Sequence, residues 1–269
     1  MIKLIVSDLD NTLLSDDHIN VSDENKKAIA FAKEQGAQFA IATGRTASLV
    51  EPIYKKLGLV DYLILSNGAG ILDMKTMKET GVFIPFDLFE KLVTVHDRYN
   101  AIYEIYADGK VYIKEKLWDN YGSEHLDPDF VKELKSFLIP INNIEELKDK
   151  SIEKINTIMV PNNGRKAMMK DLEELGGLTV TSALKGNVEV TLEGVDKGAA
   201  LHRLAKRLGI EKDEVLVFGD GMNDYTMIQW SSNSYAMENG HPEVKKIAKH
   251  ITKRYDENGV AHGIYEYMK

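Results

Sequence analysis

Two aspartates one residue apart, Asp8 and Asp10, follow a short apolar segment at the start of the chain. That segment, residues 2–6, is short and rich in β-branched side chains, which is typical of a buried parallel strand. Open α/β sheets bind their ligands beyond the carboxyl ends of such strands. Two carboxylates there suit a hard cation and an acid–base pair. Taken alone, Asp10-Asn11-Thr12 is equally compatible with an Asx turn.

Other predicted strands also end in polar groups, at Thr43-Gly44-Arg45 and at Gly219-Asp220-Gly221-Met222-Asn223-Asp224, and Lys197 stands in the first turn of a predicted helix. Each has a local alternative. Thr43 is compatible with a helix N-cap, Lys197 with a solvated surface charge, and Gly219–Gly221 with a tight turn. Carboxylate, hydroxyl and ammonium groups at one sheet edge are together the groups that a phosphoryl-transfer site uses.

Charge determines what such a site requires. Carboxylates gathered near one point repel a phosphate dianion unless a cation intervenes; the candidates are Asp8, Asp10, Asp220 and Asp224. Oxygen ligands without histidine or thiol favour Mg²⁺, which would bridge a carboxylate and a phosphoryl oxygen. Lys197 would neutralise further charge, and Thr43 with backbone amides would donate to the remaining phosphoryl oxygens.

The surrounding pattern predicts the elements that position these residues. Strand and helix alternate over the first eighty residues, with helices predicted at 22–35 and 47–57 and strands at 37–42 and 62–65. The alternation returns from residue 196, with helices predicted at 197–208, 223–230 and 242–250 and a strand at 214–218. Such alternation predicts parallel βαβ units.

The middle of the chain differs. Amphipathic helices are predicted at 86–99 and 164–175, a hairpin around Asp108-Gly109, and further strands at 153–160, 178–183 and 187–192. The predicted fold class is therefore α/β: a Rossmann-like parallel sheet core, 1–82 and 189–269, with an inserted α+β cap domain at 83–188.

Composition excludes several classes of function. The chain has 269 residues, a net charge of −8 and no cysteine. The acidic balance argues against a nucleic-acid partner, and the lack of cysteine excludes disulfides, thiolate metal sites and a cysteine nucleophile. No signal peptide and no membrane-spanning apolar segment is predicted, so we expect a cytoplasmic protein without a membrane partner.

The chain resembles the haloacid dehalogenase-like phosphatases, whose four motifs are matched in order by Asp8-Leu9-Asp10-Asn11-Thr12-Leu13, Thr43-Gly44-Arg45, Lys197 and Gly219-Asp220-Gly221-Met222-Asn223-Asp224. Asn67-Gly68-Ala69, the position of the cap and the segments 236–239 and 256–261 resemble the Cof-type sugar-phosphatase branch with a large α/β (C2B-type) cap. The resemblance covers nearly the full length. Asn11 stands where that family usually has glycine, and asparagine tolerates left-handed backbone.

The resemblance implies a role for each residue. Asp8 would be the nucleophile, and Asp10 the general acid and later the base. Mg²⁺ would be bound by Asp8, the backbone carbonyl of Asp10, and Asp220, with Asp224 as support. The phosphoryl group would be held by Thr43, Lys197, Asn223 and the amides of Leu9 and Gly44. Arg45 would either face the substrate or brace the loop.

The implied activity is Mg²⁺-dependent hydrolysis of small phosphorylated metabolites through an aspartyl-phosphate. A phosphomutase or phosphotransferase using the same intermediate is the alternative. A phosphate-sensing receiver domain is a third, although receivers are much shorter and carry the phosphorylated aspartate after their third strand. We expect a monomer or homodimer whose cap contacts the leaving group.

Overall fold

The computed structural model describes residues 1–122, 128–181 and 187–268. Two compact units are present. Unit 1 comprises Met1–Arg45, Val50–Gly81 and Asp196–Lys269, and unit 2 comprises Thr46–Leu49 and Val82–Val195. The assignment of 83–188 as an inserted cap domain stays a prediction.

Both units contain strands and α-helices. The strands are β1 (Leu4–Ser7), β2 (Gln38–Ala42), β3 (Tyr62–Leu65), β4 (Gly70–Asp73), β5 (Lys78–Gly81), β6 (Ile102–Ala107), β7 (Lys110–Lys114), β8 (Leu138–Ile141), β9 (Ile152–Met159), β10 (Leu178–Thr181), β11 (Val188–Leu192), β12 (Val215–Gly219), β13 (Asn233–Met237) and β14 (His250–Thr252). The α-helices are α1 (Asp23–Glu34), α2 (Ala47–Leu57), α3 (Phe86–Arg98), α4 (Pro128–Phe137), α5 (Arg165–Leu175), α6 (Lys197–Leu208), α7 (Tyr225–Trp230), α8 (Pro242–Ile247) and α9 (Gly259–Tyr267).

Unit 1 is built on a largely parallel sheet with the strand order β14-β13-β12-β1-β2-β3-β4-β5. Neighbouring strands are parallel from β14 to β3 in that order. Strand β4 is antiparallel to both of its neighbours, β3 and β5. The central strands are buried along their length because helices cover a parallel sheet on both faces. The predicted α/β fold class is confirmed. Adjacent parallel strands bring the ends of β12, β1, β2 and β3 to one edge.

Helix α6 packs against one face of this sheet and thereby fixes the position of its first residue, Lys197. Leu201 and Leu204 of α6 are fully buried in one apolar cluster with Val6 and Val217 of the sheet. Asp196 caps the helix, accepting a hydrogen bond from the amide of Ala199 at 2.8 Å. The cap and the apolar face together hold the first turn of α6 against the sheet.

Unit 2 has its own sheet, with the order β10-β11-β9-β6-β7-β8, antiparallel except for the β7–β8 pair. Helices α3 and α5 bury Phe89, Leu92 and Leu172 against it. The predicted hairpin is present: Asp108 and Gly109 both have positive φ, as a tight two-residue hairpin turn requires.

Several predicted bounds differ from those observed. The helix predicted at 242–250 is wrong beyond Ile247, because His250 already lies in β14. The hairpin β4–β5 interrupts the predicted strand–helix alternation. Residues 182 and 183 of the strand predicted at 178–183 lie outside the described residues.

In the part of the chain that the structure describes, no helix is both long and apolar enough to cross a bilayer.

Candidate active site

Three carboxylates meet where β1 and β12 end, and we call Asp8, Asp220 and Asp224 the carboxylate cluster. One oxygen from each lies within 4.8 Å of the others. The parallel pairing of Ser7 with Phe218 brings the two strand ends side by side, and each strand is followed by its acidic residue. Asp224 ends a short 3₁₀ turn, Met222–Asp224, after β12. Strands far apart in sequence thus assemble the cluster.

Lys197 is the cation of this cluster. Its Nζ donates to Asp8 Oδ1 and to Asp224 Oδ1, each at 2.6 Å, and its side chain is 0% exposed. The alternative of a solvated surface charge is therefore wrong. Burial alone would lower the pKa of the Lys197 ammonium, but the carboxylates of Asp224 and Asp8 outweigh burial and raise that pKa above the ordinary lysine value.

One ammonium does not balance the carboxylate cluster. Burial, followed by repulsion from Asp224, raises the pKa of Asp8 well above its ordinary value, and Lys197 offsets only part of this. Burial and Asp224 likewise raise the pKa of Asp220 to about 7, against the hydrogen bond that Thr12 donates at 2.9 Å. The three carboxylates therefore repel one another more than one ammonium compensates.

The donor chemistry of the carboxylate cluster fits a hard divalent cation, since every candidate ligand atom is an oxygen. Its members are not equivalent. Asp224 has both oxygens engaged, one by Lys197 and the other by the amides of Asp220 and Gly221 at 2.9 Å each. Asp8 and Asp220 are thus better suited to direct ligation, and Asp224 to holding the loop and Lys197.

Asp10 lies apart from the cluster although it is two residues from Asp8. Its carboxylate receives two hydrogen bonds from Arg45, from Nε to Oδ2 at 3.0 Å and from Nη2 to Oδ1. His18 Nδ1 lies 3.5 Å from Asp10 Oδ1, and the His18 carbonyl accepts a further bond from Arg45 Nη2 at 3.2 Å. Arg45 therefore braces Asp10 and the loop, one of the two placements that the sequence allowed.

The turn after Asp8 is formed by the backbone. The carbonyl of Leu9 accepts bonds from the amides of Thr12, Leu13 and Leu14, and the Asp10 side chain is turned to Arg45. An Asx turn at Asp10 is therefore wrong. Asn11 has a φ of 58°, the left-handed conformation that asparagine tolerates and that glycine would adopt freely.

Thr43 and Gly44 follow β2 at the neighbouring strand end. Thr43 is fully buried, and its hydroxyl accepts a bond from the amide of Arg45 at 3.1 Å. The N-cap interpretation of Thr43 is wrong because α2 begins only at Ala47. This local turn leaves the hydroxyl hydrogen of Thr43 available to an acceptor.

Sequence reasoning gave no role to three residues that the structure brings to the site. Thr12 bonds to Asp220, His18 lies beside Asp10, and Asn67 Oδ1 accepts from Asn223 Nδ2 at 3.2 Å. The sequence offered two signals, a hydroxyl two residues after Asp10 and an Asn-Gly pair at the end of β3. The partners of Thr12 and Asn67 are distant in sequence, so neither signal identifies them.

Comparison with known proteins agrees with this geometry. A family model described as haloacid dehalogenase-like hydrolase matches residues 5–264. The phosphatase YwpJ of Bacillus subtilis (strain 168) is 31% identical over 279 residues, covering 97% of this chain and 98% of that protein. The 5-amino-6-(5-phospho-D-ribitylamino)uracil phosphatase YcsE of the same strain is 29% identical over 274 residues, covering 99% and 96%.

The fold is shared as well. A solved haloacid dehalogenase-like hydrolase from B. subtilis superposes with a TM-score of 0.83 at 29% identity, covering 98% of this chain and 99% of that one. Family match, relatives and fold agree over essentially the whole length. The chain therefore belongs to the haloacid dehalogenase-like hydrolases, in their Cof-type branch, and is a phosphatase of that family.

Proposed function

We propose that this phosphatase uses Mg²⁺ and hydrolyses small phosphorylated metabolites, sugar phosphates or similar, through an aspartyl-phosphate on Asp8. The observation that carries the proposal is the separation of two neighbouring carboxylates. Asp8 is buried with Lys197 and the carboxylate cluster, whereas Asp10 is held apart by Arg45. This separation supports a nucleophile role for Asp8 and a proton-transfer role for Asp10.

In the first step, a carboxylate oxygen of Asp8 attacks phosphorus and the bond to the leaving alcohol breaks. Asp10 gives its proton to the departing oxygen. In the resting site Arg45 donates to both oxygens of Asp10, so this ion pair must open before an Asp10 oxygen can reach the departing oxygen. We propose that substrate binding opens it.

In the second step, Asp10 removes a proton from water, and the water oxygen attacks the phosphorus of the aspartyl-phosphate. Inorganic phosphate departs and the Asp8 carboxylate is restored. Lys197 stays bonded to Asp8 and Asp224 in the resting site and would neutralise charge on the phosphoryl oxygens during both steps.

The phosphoryl oxygens would be held by groups from three strand ends. We propose the Thr43 hydroxyl, the Asn223 amide, and the backbone amides of Leu9 and Gly44, with Lys197 as the cation. Asp8, the backbone carbonyl of Asp10, and Asp220 would hold Mg²⁺, with Asp224 as support. When bound, the cation supplies positive charge between the phosphoryl group and the carboxylates.

The substrate class is proposed from the relatives named above, among them a phosphatase of a phosphoribitylamino-pyrimidine.

A phosphotransferase would share the first step and replace water by a second alcohol in the next. Transfer to an added sugar, at the expense of free phosphate, distinguishes it from hydrolysis. A monomeric or homodimeric state and a cytoplasmic location stay predictions.

The test is phosphate release from a panel of sugar phosphates, nucleotides and pyridoxal phosphate, with and without Mg²⁺. Asp8→Asn should lower kcat by about a thousandfold or more, since the amide cannot form the intermediate. Asp23→Asn, an exposed carboxylate in the first turn of α1, is the matched control and should retain full turnover. Unchanged turnover of Asp8→Asn would refute the nucleophile assignment.

A further inference from the structure

Three consecutive residues after β3 have left-handed backbone: Ser66, Asn67 and Gly68, with φ of 49°, 56° and 101°. We call them the left-handed turn. Residues other than glycine adopt positive φ rarely, and a run of them persists only where the surroundings fix it. All three are buried, so their contacts can be followed in detail.

The left-handed turn first holds the loop that carries Thr43. The amide of Asn67 donates to the Thr43 carbonyl, and the amide of Ser66 donates to the Arg45 carbonyl, both at 3.0 Å. A Cβ added to Gly44 would lie 3.1 Å from the Asn67 side-chain oxygen. The turn and this loop are therefore in close contact on both sides of Gly44.

The same turn contacts the start of α6. A Cβ on Gly68 would lie 2.3 Å from the Asp196 carbonyl, so only glycine fits against the residue that precedes Lys197. Arg203, further along α6, donates from Nη2 to the Gly68 carbonyl at 2.7 Å. The position of Lys197 is thereby coupled to the turn.

The third contact is a side-chain bond to the loop after β12. Asn223 Nδ2 donates to Asn67 Oδ1 at 3.2 Å, across 156 positions of sequence. An asparagine amide can rotate about its side-chain bonds, and a fixed acceptor selects one orientation. Asn67 is the residue that supplies this acceptor from a strained position.

We propose that Asn67 is a positioning residue, which orients the Asn223 amide for the phosphoryl group while the left-handed turn holds the Thr43 loop and the start of α6 in register. This rests on the proposed function, because it gives Asn223 its phosphoryl-binding role. The turn thus connects the Thr43 loop, the start of α6 and the loop after β12 through one strained segment.

The variant that tests this is Asn67→Gly, which adopts a φ of 56° without strain and removes the side chain that bonds Asn223. We expect the inhibition constant for vanadate and KM each to rise by about five- to tenfold, which is the effect of losing one neutral hydrogen bond. Tm should change little. In an Asn223→Ala background, Asn67→Gly should cause no further loss, since the effect runs through that side chain.

The matched control is Asn258→Gly, another asparagine with left-handed backbone, at φ 59°, where the side chain makes no capping bond. It should change neither vanadate inhibition nor KM. An Asn67→Gly enzyme with wild-type vanadate inhibition would overturn the inference, and so would an undiminished effect in the Asn223→Ala background or a loss of Tm alone. A wild-type protein without phosphatase activity would overturn the proposed function as well.

Discussion

At the scale of single residues, Lys197 is the buried ammonium that compensates two buried carboxylates of unit 1. It is fully buried and is bonded to two carboxylates, while a third member of the carboxylate cluster lies close by. Removing one partner of a buried ion pair leaves the other charge uncompensated, which costs more than the pair contributes. The stability of the site should therefore depend on this one ammonium.

Lys197→Met tests that dependence. Without added metal at neutral pH, we expect the free energy of unfolding to fall by about 3–5 kcal/mol, because Asp8 and Asp224 lose their shared cation. Urea denaturation measures the change. Lys197→Met combined with Asp224→Asn removes one of the stranded charges and should recover part of the loss. A loss below about 1 kcal/mol, typical of exposed pairs, would contradict the argument.

Residue types at strand ends were predictable from the sequence, but their partners were not. The acidic residues after β1 and β12 are visible as polar groups that end apolar segments. That Asp10 turns to Arg45, and that Asn67 meets Asn223, depends on strand order and on rotamers. Periodicity contains neither kind of information, because both contacts join distant segments.

At the scale of elements, helix α3 contributes a buried titratable group to unit 2. His96 Nδ1 donates to the Leu92 carbonyl at 2.8 Å, and its Nε2 accepts from the Thr157 hydroxyl of β9 at 2.9 Å. The ring packs 4.9 Å from that of Tyr103, and Asp97 and Lys114 are the charged groups that act on it. Burial lowers the pKa of His96 to about 4, despite the bond to Leu92.

The sign of the resulting pH dependence follows from that depressed pKa. The unfolded chain binds a proton near the ordinary histidine value and the folded chain does not, so stability is full above about pH 6.5 and falls towards pH 4. We expect His96 to account for about 3 kcal/mol of that loss. Urea denaturation of wild type and His96→Gln across this range measures it, since glutamine does not titrate. Parallel pH curves for the two proteins would contradict the assignment.

Some elements could be predicted from the sequence and others could not. The strands β1, β2, β3 and β12 are predicted because they are short, apolar and buried. Strand β5, Lys-Glu-Thr-Gly, has four exposed residues and forms only because β4 offers it an edge. Helix α8 ends at Ile247 because the following residues pair with β13, which a helical pattern does not reveal.

At the scale of the whole molecule, each unit has its own sheet and its own apolar cluster. Within unit 1, Gly81 and Asp196, the residues that flank the segment Val82–Val195, both lie close to residues 68–70. Gly81 pairs with Gly70 of β4. Asp196 lies with its carbonyl against Gly68, which precedes Gly70 by two residues. A chain leaving and re-entering at one place is what an inserted domain requires.

Excision tests whether unit 1 is an independent folding unit. A chain with Val82–Val195 replaced by a short Gly/Ser linker should unfold in one cooperative transition and be stabilised by added Mg²⁺, because the sheet, α6 and the carboxylate cluster all remain. Circular dichroism on heating measures both properties. A broad, non-cooperative transition would contradict the predicted domain division.

The central claim is that Asp8 forms the covalent intermediate, and trapping that intermediate tests it most directly. Asp10→Asn mixed with p-nitrophenyl phosphate and Mg²⁺ should accumulate it, since this leaving group needs no proton and the base for water is gone. Acid quenching on the millisecond scale, followed by peptide mass mapping, locates the phosphoryl group, with Asp8→Asn/Asp10→Asn as the control. We predict a phosphoryl group on Asp8, absent from the control; no phosphoryl group in the Asp10→Asn protein, or one on any other residue, would contradict the account.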